Sequence, residues 1–115
     1  MKKRTPSAPA VDNGNELVYV APSAIHGFGL FARCRLPRNT LIGTYFGRAT
    51  RRNGKYVLWI WSEESARWEG VNGTNEMRFL NHSATPNAEF DGLELYALRK
   101  IDKDEEITFD YQWGP

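Results

Sequence analysis

The sequence predicts a mainly β domain of short strands with little helix. Short runs of β-branched and aromatic residues recur along the chain, and turn residues separate them. The sequence contains no internal repeat and no low-complexity core. At 115 residues there is room for one domain, which we expect to bury roughly two-thirds of its unfolded surface.

The apolar runs give the strands in order. The predicted strands are residues 17–20, 30–33, 40–46, 56–61, 93–100 and 107–109. A turn at residues 36–39 separates the second strand from the third. Residues 56–61 are short, aromatic and bounded by turns, which favours a buried strand over a helix. Short helical segments are expected at residues 63–67 and 76–81.

Residues 1–15 are predicted to be a disordered tail, and residues 16–115 to form a single domain. The tail is polar and has almost no apolar residues to bury. No apolar signal-peptide core follows its basic start, and the longest apolar run, residues 56–61, is too short to span a bilayer. We therefore expect an intracellular protein without a membrane segment; cytoplasmic and nuclear or chromatin-associated locations both fit.

Charge and cysteine content exclude several classes of site. Fifteen Lys+Arg balance 14 Asp+Glu, so no strongly basic surface for direct nucleic-acid binding is expected. The single cysteine, Cys34, rules out an intramolecular disulfide and a thiolate zinc cluster, and we expect it to be half-buried. A basic cluster surrounds a predicted turn at residues 53–54 and has the composition of a solvated face. Its members are Arg48, Arg51, Arg52 and Lys55.

A glycine-rich segment, SAIHGFGLFA, occupies residues 23–32. Gly27 and Gly29 are spaced by one residue, which lets the backbone approach a ligand closely. A dinucleotide-binding loop is excluded, because no third glycine follows at the required distance and a strand, not a helix, comes next. Such a glycine pair alone indicates a hairpin turn.

Two further segments combine polar and aromatic residues. Residues 78–87 form RFLNHSATPN, in which Asn81 offers a side-chain amide and His82 a ring with two hydrogen-bonding nitrogens. Residues 105–111 form EEITFDY. Taken separately, the first is typical of a capped helix end and the second of an aromatic-rich strand.

Together and in this order, the three segments resemble the motif set of SET-domain methyltransferases, which move a methyl group from S-adenosylmethionine to a protein lysine. The resemblance extends from about residue 17 to residue 111. It implies the SET-domain fold, in which short strands form small sheets and a C-terminal pseudoknot threads residues 105–111 beneath the loop of Asn81 and His82. Glu106 would brace this crossing by hydrogen bonding.

The resemblance implies a cofactor site for S-adenosylmethionine and a catalytic tyrosine, Tyr111. The implied cofactor-binding residues are His26, Gly27, Phe28, Gly29, Arg78, Asn81, His82 and Tyr111. The glycine-rich segment would contact the methionine part of the cofactor through its backbone, and His82 the adenine, partly through its backbone. Arg78 either contacts the cofactor carboxylate or only braces the loop.

The resemblance also implies a channel for the substrate lysine. Tyr45 matches a second active-site tyrosine of the family, or else it is a packing aromatic. Phe90 and Phe109 would line the channel, and a phenylalanine at both positions favours di- or trimethylation. Trp113 either closes the channel or packs the C-terminal end. A second subunit is the other way to close it, so we expect a homodimer.

The implied chemistry requires no metal. A free lysine has a pKa of about 10.4, so neutralising it at pH 7 costs about 4.6 kcal/mol. Burial between aromatic walls lowers that pKa, and such shifts reach about 3–5 units. The expected substrate is a lysine-containing protein or peptide, with histones as the usual target of the family. The alternative is a non-catalytic SET module that binds a peptide or cofactor without turnover.

Overall fold

A computed structural model describes residues 15–110 of the chain. The predicted tail at residues 1–14 lies outside the described residues, as do Tyr111 and Trp113. Asn15, which we had placed in the tail, is fixed to the domain. Its Nδ2 donates to Ile42 O at 2.8 Å, and its Oδ1 accepts a hydrogen bond from Leu17 N at 2.9 Å.

The prediction of a mainly β fold with little helix is confirmed. The strands are β1 (Val18–Pro22), β2 (Phe28–Ala32), β3 (Leu41–Thr44), β4 (Gly47–Thr50), β5 (Val57–Ser62), β6 (Arg67–Gly73), β7 (Asn81–His82), β8 (Ala88–Asp91), β9 (Glu94–Ala97) and β10 (Glu106–Phe109). A 3-10 helix, Glu76–Phe79, lies between β6 and β7, as predicted for residues 76–81. No helix in residues 15–110 has the length and apolarity needed to cross a bilayer.

The strands form three small sheets, with the orders β1-β2-β10-β7, β3-β9-β8 and β4-β6-β5. One apolar core joins them. Its fully buried side chains come from strands of the first two sheets, from the 3-10 helix and from the loops: Val18, Leu30, Leu36, Ile42, Met77, Leu95, Ile101 and Ile107. The sheet β4-β6-β5 contributes less, and only Leu58 of β5 belongs to the buried cluster. This sheet therefore stands at the side of the domain.

Four strands, β4, β6, β7 and β8, were not predicted, and one predicted helical segment was wrong. Residues 63–67 form a turn that leads into β6, whose Arg67 pairs with Ser62 of β5. Gly70 and Gly73 lower the strand propensity of β6. β4 and β8 are only four residues each, and β4 has no large apolar side chain. Their edge positions let them form without an apolar run.

Two predictions of burial were wrong. Residues 56–61 do contain a strand, but β5 is an edge strand, and Trp61 is 46% exposed. Cys34 is exposed. It lies in the bend after β2, where Leu36 packs into the core instead and pairs with Ile101.

β10 lies between β2 and β7, as expected for the C-terminal crossing. It pairs antiparallel with β2 and parallel with β7, where Thr108 is opposite Asn81. The buried side chain of Asn87 acts as a further strand partner for β10. Its Nδ2 donates to Glu106 O at 2.8 Å, and its Oδ1 accepts from Thr108 N at 2.9 Å. The segment from β7 to Asn87 therefore holds β10 on more than one side.

Candidate active site

The three sequence motifs meet at the side chain of Asn81. Its Nδ2 faces His26 O and Phe28 O at 3.1 Å, and Glu106 Oε2 at 2.8 Å. Ser23 Oγ also lies 3.1 Å from this nitrogen and donates to the Glu106 carboxylate at 2.8 Å. The predicted role of Glu106 as a brace of the crossing is confirmed. The amide of Asn81 is directed into this network of protein oxygens.

The two glycines of the first motif serve different purposes. Gly27 has a φ of +48°, in the left-handed region, and a Cβ added there would meet no atom within 4 Å. Gly29 instead packs directly against the carboxylate of Glu106, and an added Cβ would lie 3.1 Å from the Cβ of Ser23. Gly27 therefore borders open space, whereas Gly29 allows the motifs to pack together.

A cleft of about 620 Å³ lies over this junction. Its volume is in the range of small-molecule sites, about 300–1,000 Å³. The first motif contributes His26, Gly27 and Phe28 to its lining, and β10 contributes Phe109. The second motif contributes Arg78, Phe79, Leu80 and Asn81. The turn before β5 and the first part of that strand contribute Asn53, Gly54, Lys55, Tyr56, Val57, Leu58 and Trp59, and Tyr45 and Met77 complete the lining.

Arg78 braces the backbone beside the cleft. Its Nη1 donates to the carbonyl oxygens of Thr74 and Asn75, both at 2.9 Å. Its guanidinium carbon lies 4.4 Å from the ring centroid of Phe79 and 5.8 Å from that of Tyr56. Of the two roles left open by the sequence, bracing is the one that these contacts display.

Tyr45 lines the cleft, but its hydroxyl is hydrogen-bonded to a backbone carbonyl. Its side chain is 5% exposed, and its hydroxyl donates to Tyr56 O at 2.5 Å. Burial raises the pKa of Tyr45 to about 12, although the charge of Arg78 acts in the opposite direction. The edge of the Phe90 ring packs against it, with the centroids 5.9 Å apart. Tyr45 is therefore a neutral hydrogen-bond donor at pH 7.

A second cavity, of about 380 Å³, adjoins the cleft. Phe109, Leu58 and Trp59 line both spaces and so form the wall between them. Phe90 lines the second cavity, and its ring meets that of Phe109 nearly at right angles, with centroids 5.1 Å apart. The predicted channel residues Phe90 and Phe109 are thus in contact, and Phe109 faces both spaces.

His82 lines neither cavity. Its imidazole is exposed, and its Nδ1 lies 3.6 Å from Asp110 Oδ1. Its backbone pairs with Phe109 of β10. Among residues 15–110, no group of three or more His, Cys, Asp or Glu side chains lies close enough to hold a metal ion. The predicted catalytic Tyr111 and the predicted channel residue Trp113 lie outside the described residues.

The sequence motifs did not indicate residues 53–59, which form one wall of the cleft. Tyr56 packs against Phe79 of the second motif, with ring centroids 6.0 Å apart. The turn at residues 53–54 and the aromatic run after it were visible in the sequence. Nothing local, however, indicated that this turn and strand border the same cleft as the glycine-rich segment.

Comparison with known proteins decides the family. The sequence profile of the SET domain matches residues 27–112. This chain belongs to the SET-domain family. The methyltransferase domain of human histone-lysine N-methyltransferase SETMAR has a similar structure, with a TM-score of 0.69 at 25% identity over 80% of this chain and 43% of that one.

Curated SET-domain relatives are similar over most of this chain. A histone-lysine N-methyltransferase from Emericella nidulans, described as H3 lysine-4 specific, is 32% identical over 119 residues, or 84% of this chain. Histone-lysine N-methyltransferase MEDEA from Arabidopsis thaliana is 32% identical over 124 residues, or 88% of this chain. This SET chain spans only 10% and 17% of the lengths of those two relatives.

Proposed function

We propose that this SET domain transfers methyl groups from S-adenosylmethionine to the ε-amine of a lysine in a protein substrate. The observation that carries the proposal is the cleft built jointly by the three motifs, which a wall containing Phe109 separates from a second aromatic cavity. The relatives named as histone-lysine N-methyltransferases support the same reaction.

The residues of the cleft fit S-adenosylmethionine. Gly27 leaves open space at the cleft, and the backbone of His26 to Phe28 would hold the amino-acid end of the cofactor. Tyr56 and Phe79 offer aromatic faces. When bound, the cofactor supplies an electrophilic methyl group on a positively charged sulfur. Asn81 holds the glycine-rich backbone in place through its hydrogen bonds to the His26 and Phe28 carbonyls.

The second cavity supplies a site for the lysine. Its walls include Phe90 and Phe109 together with Glu89 and Asp110. Desolvation beside the apolar rings lowers the lysine pKa, whereas the two carboxylates and cation–π attraction act in the opposite direction. Neutralising a free lysine at pH 7 costs about 4.6 kcal/mol, and burial offsets part of this cost by lowering the lysine pKa. Tyr45 would not act as the base, because its hydroxyl donates to Tyr56 O and its pKa is raised to about 12. Tyr111 is proposed to orient the amine.

Two spaces that share part of their lining can bring two reactants together. An in-line displacement requires the amine and the sulfonium methyl group to meet with no side chain between them, so we place their meeting point beside Phe109, where the linings of the two spaces join. Holding both groups there would lower the entropic cost of their encounter. Neither Phe90 nor Phe109 carries a hydroxyl that would fill the space beside the amine. We therefore propose that the product extends to di- or trimethyl-lysine, on a histone or another lysine-containing protein.

The test combines binding and turnover. S-adenosylmethionine is titrated into the protein by calorimetry, and labelled cofactor is then added with histones or with a mixed protein lysate. We expect binding with one site per chain and transfer of label to protein. Binding without label in any protein would instead favour the non-catalytic SET module. Absence of binding would contradict both.

A further inference from the structure

We infer that Lys55, in the turn before β5, binds the carboxylate of the cofactor at the rim of the cleft. This inference rests on the proposed function, because it assumes that S-adenosylmethionine occupies the cleft. It goes further in assigning the anion contact to a residue outside all three sequence motifs.

The charge of the cleft favours an anionic group. Lys55 and Arg78 both line it, and its described lining contains no Asp or Glu. A concave site with charges of one sign attracts the opposite charge. The carboxylate is the anionic group of S-adenosylmethionine, so it is the part of the ligand that these cations would select.

Lys55 has all of its donors to spare, whereas the Nη1 group of Arg78 is already engaged. Arg78 directs Nη1 to the carbonyls of Thr74 and Asn75 and stacks on Phe79. The ammonium of Lys55 lies 5.3 Å from the ring centroid of Tyr56, and this ring contact is its one recorded interaction among residues 15–110. Its three N–H donors remain available for a ligand.

The turn that carries Lys55 is built to hold it in place. Asn53 Oδ1 accepts hydrogen bonds from Gly54 N and from Trp59 Nε1, both at 3.0 Å. Val57 N donates to Gly54 O at 3.2 Å. These contacts fasten the turn to β5, so that Lys55 extends from an ordered backbone at the wall of the cleft.

Arg51 and Arg52 provide matched controls. Both are exposed cations of the same segment, but neither lines the cleft. S-adenosylmethionine carries two cationic groups and one carboxylate, so a non-specific effect of nearby cations on it would be shared by these arginines and Lys55. A direct contact would depend on Lys55 alone.

The test is a calorimetric comparison of two ligands, S-adenosylmethionine and its decarboxylated analogue. Each is titrated into wild type, Lys55→Met, Lys55→Arg, Arg51→Met and Arg52→Met. We expect Lys55→Met to weaken S-adenosylmethionine binding about fivefold to tenfold, the range between an exposed ion pair and a charged hydrogen bond. The decarboxylated analogue keeps both cationic groups and lacks the carboxylate, so Lys55→Met should not weaken its binding. Lys55→Arg should retain most of the affinity, and both arginine variants should match wild type.

Thermal unfolding checks that each variant is folded, and Lys55→Gln replaces Lys55→Met if the methionine variant is not. Equal losses for both ligands, no loss with Lys55→Met, or the same loss in the arginine variants would each overturn the inference. If wild type binds S-adenosylmethionine and Lys55→Met binds it equally well, only this inference fails. If wild type does not bind the cofactor, the proposed function fails and the inference fails with it.

Discussion

Asn81 donates a hydrogen bond of 2.8 Å from its Nδ2 to Oε2 of Glu106, 25 residues further along the chain. The same carboxylate accepts from Ser23 Oγ, and the same amide faces His26 O and Phe28 O. One carboxylate and one amide therefore connect the glycine-rich segment, β7 and β10. Asn81, His26 and Phe28 of this junction also line the cleft.

Glu106→Gln is expected to lower the free energy of unfolding by about 1–3 kcal/mol, because a neutral amide presents an NH₂ group to donors that need an acceptor. Urea denaturation measures the change. Glu16→Gln is the control, since Glu16 is exposed, and it should stay within about 0.5 kcal/mol of wild type. A Glu106→Gln midpoint equal to that of wild type would show that the junction contributes nothing to stability.

Gly29→Ala should be more damaging than Gly27→Ala. A Cβ at Gly29 would lie 2.9 Å from the carboxylate carbon of Glu106 and force the junction apart. At Gly27 the space is open, and only the left-handed backbone opposes alanine, at a cost of about 1–2 kcal/mol. Thermal unfolding and cofactor titration of both variants check this order. The reverse order would mean that Gly29 does not pack as described.

The buried hydroxyl of Tyr45 should make stability depend on alkaline pH. Its pKa in the folded protein is about 12, above the ordinary value of 10.0, so the folded state holds the proton more tightly than the unfolded state. The protonated Tyr45 hydroxyl therefore contributes its full stabilisation of the folded state below about pH 10, and this contribution is lost as the pH rises towards about 12.

Tyr45→Phe should reduce this alkaline loss and should cost stability at about pH 8, because Tyr56 O loses its donor. The pKa of Tyr19 is also raised, through its hydrogen bond to Asp104, but Tyr19 is present in both proteins and its effect cancels in the comparison. Urea denaturation at about pH 8, 10 and 11 measures the difference. Identical alkaline losses in the two proteins would refute the assignment to Tyr45.

Phe109→Tyr is expected to shift the product towards monomethyl-lysine. Phe109 lines both cavities, and a second or third transfer requires a bulkier amine to turn beside it. An added hydroxyl would occupy that space or hold a water, whereas the first transfer needs no such room. A time course that counts mono-, di- and trimethyl products in both proteins is the measurement. If wild type stops at monomethyl-lysine, Phe109 is a packing residue.

The sequence predicted those parts of the fold in which local pattern and tertiary environment agree. β1, β2, β5, β9 and β10 combine apolar runs with turn residues, and these strands form. β6 was missed because Gly70 and Gly73 interrupt its pattern, although pairing with both β4 and β5 supplies its hydrogen bonds. Trp61 was expected to be buried because its residue type is apolar, and no local feature marks an edge strand.

Family motifs predicted part of the candidate site. They predicted that the glycine-rich segment and Asn81 lie together, and the structure brings them together. They did not predict that the amide of Asn81 is occupied by protein oxygens. The wall formed by Lys55 and Tyr56 was also missed. Its position depends on where the β4-β6-β5 sheet lies relative to the other two sheets, and no short sequence segment predicts that position.

The most direct test of lysine methyl transfer is mass spectrometry that locates the modified atom. Wild type and Tyr111→Phe are each incubated with histones or lysate and S-adenosylmethionine, and the modified residues are sequenced. We expect methyl groups on lysine ε-amines with wild type. Tyr111→Phe should lose most of the transfer while cofactor affinity stays within about twofold, because the hydroxyl acts mainly in the transition state. Wild type that binds cofactor yet leaves every lysine unmodified would contradict the account.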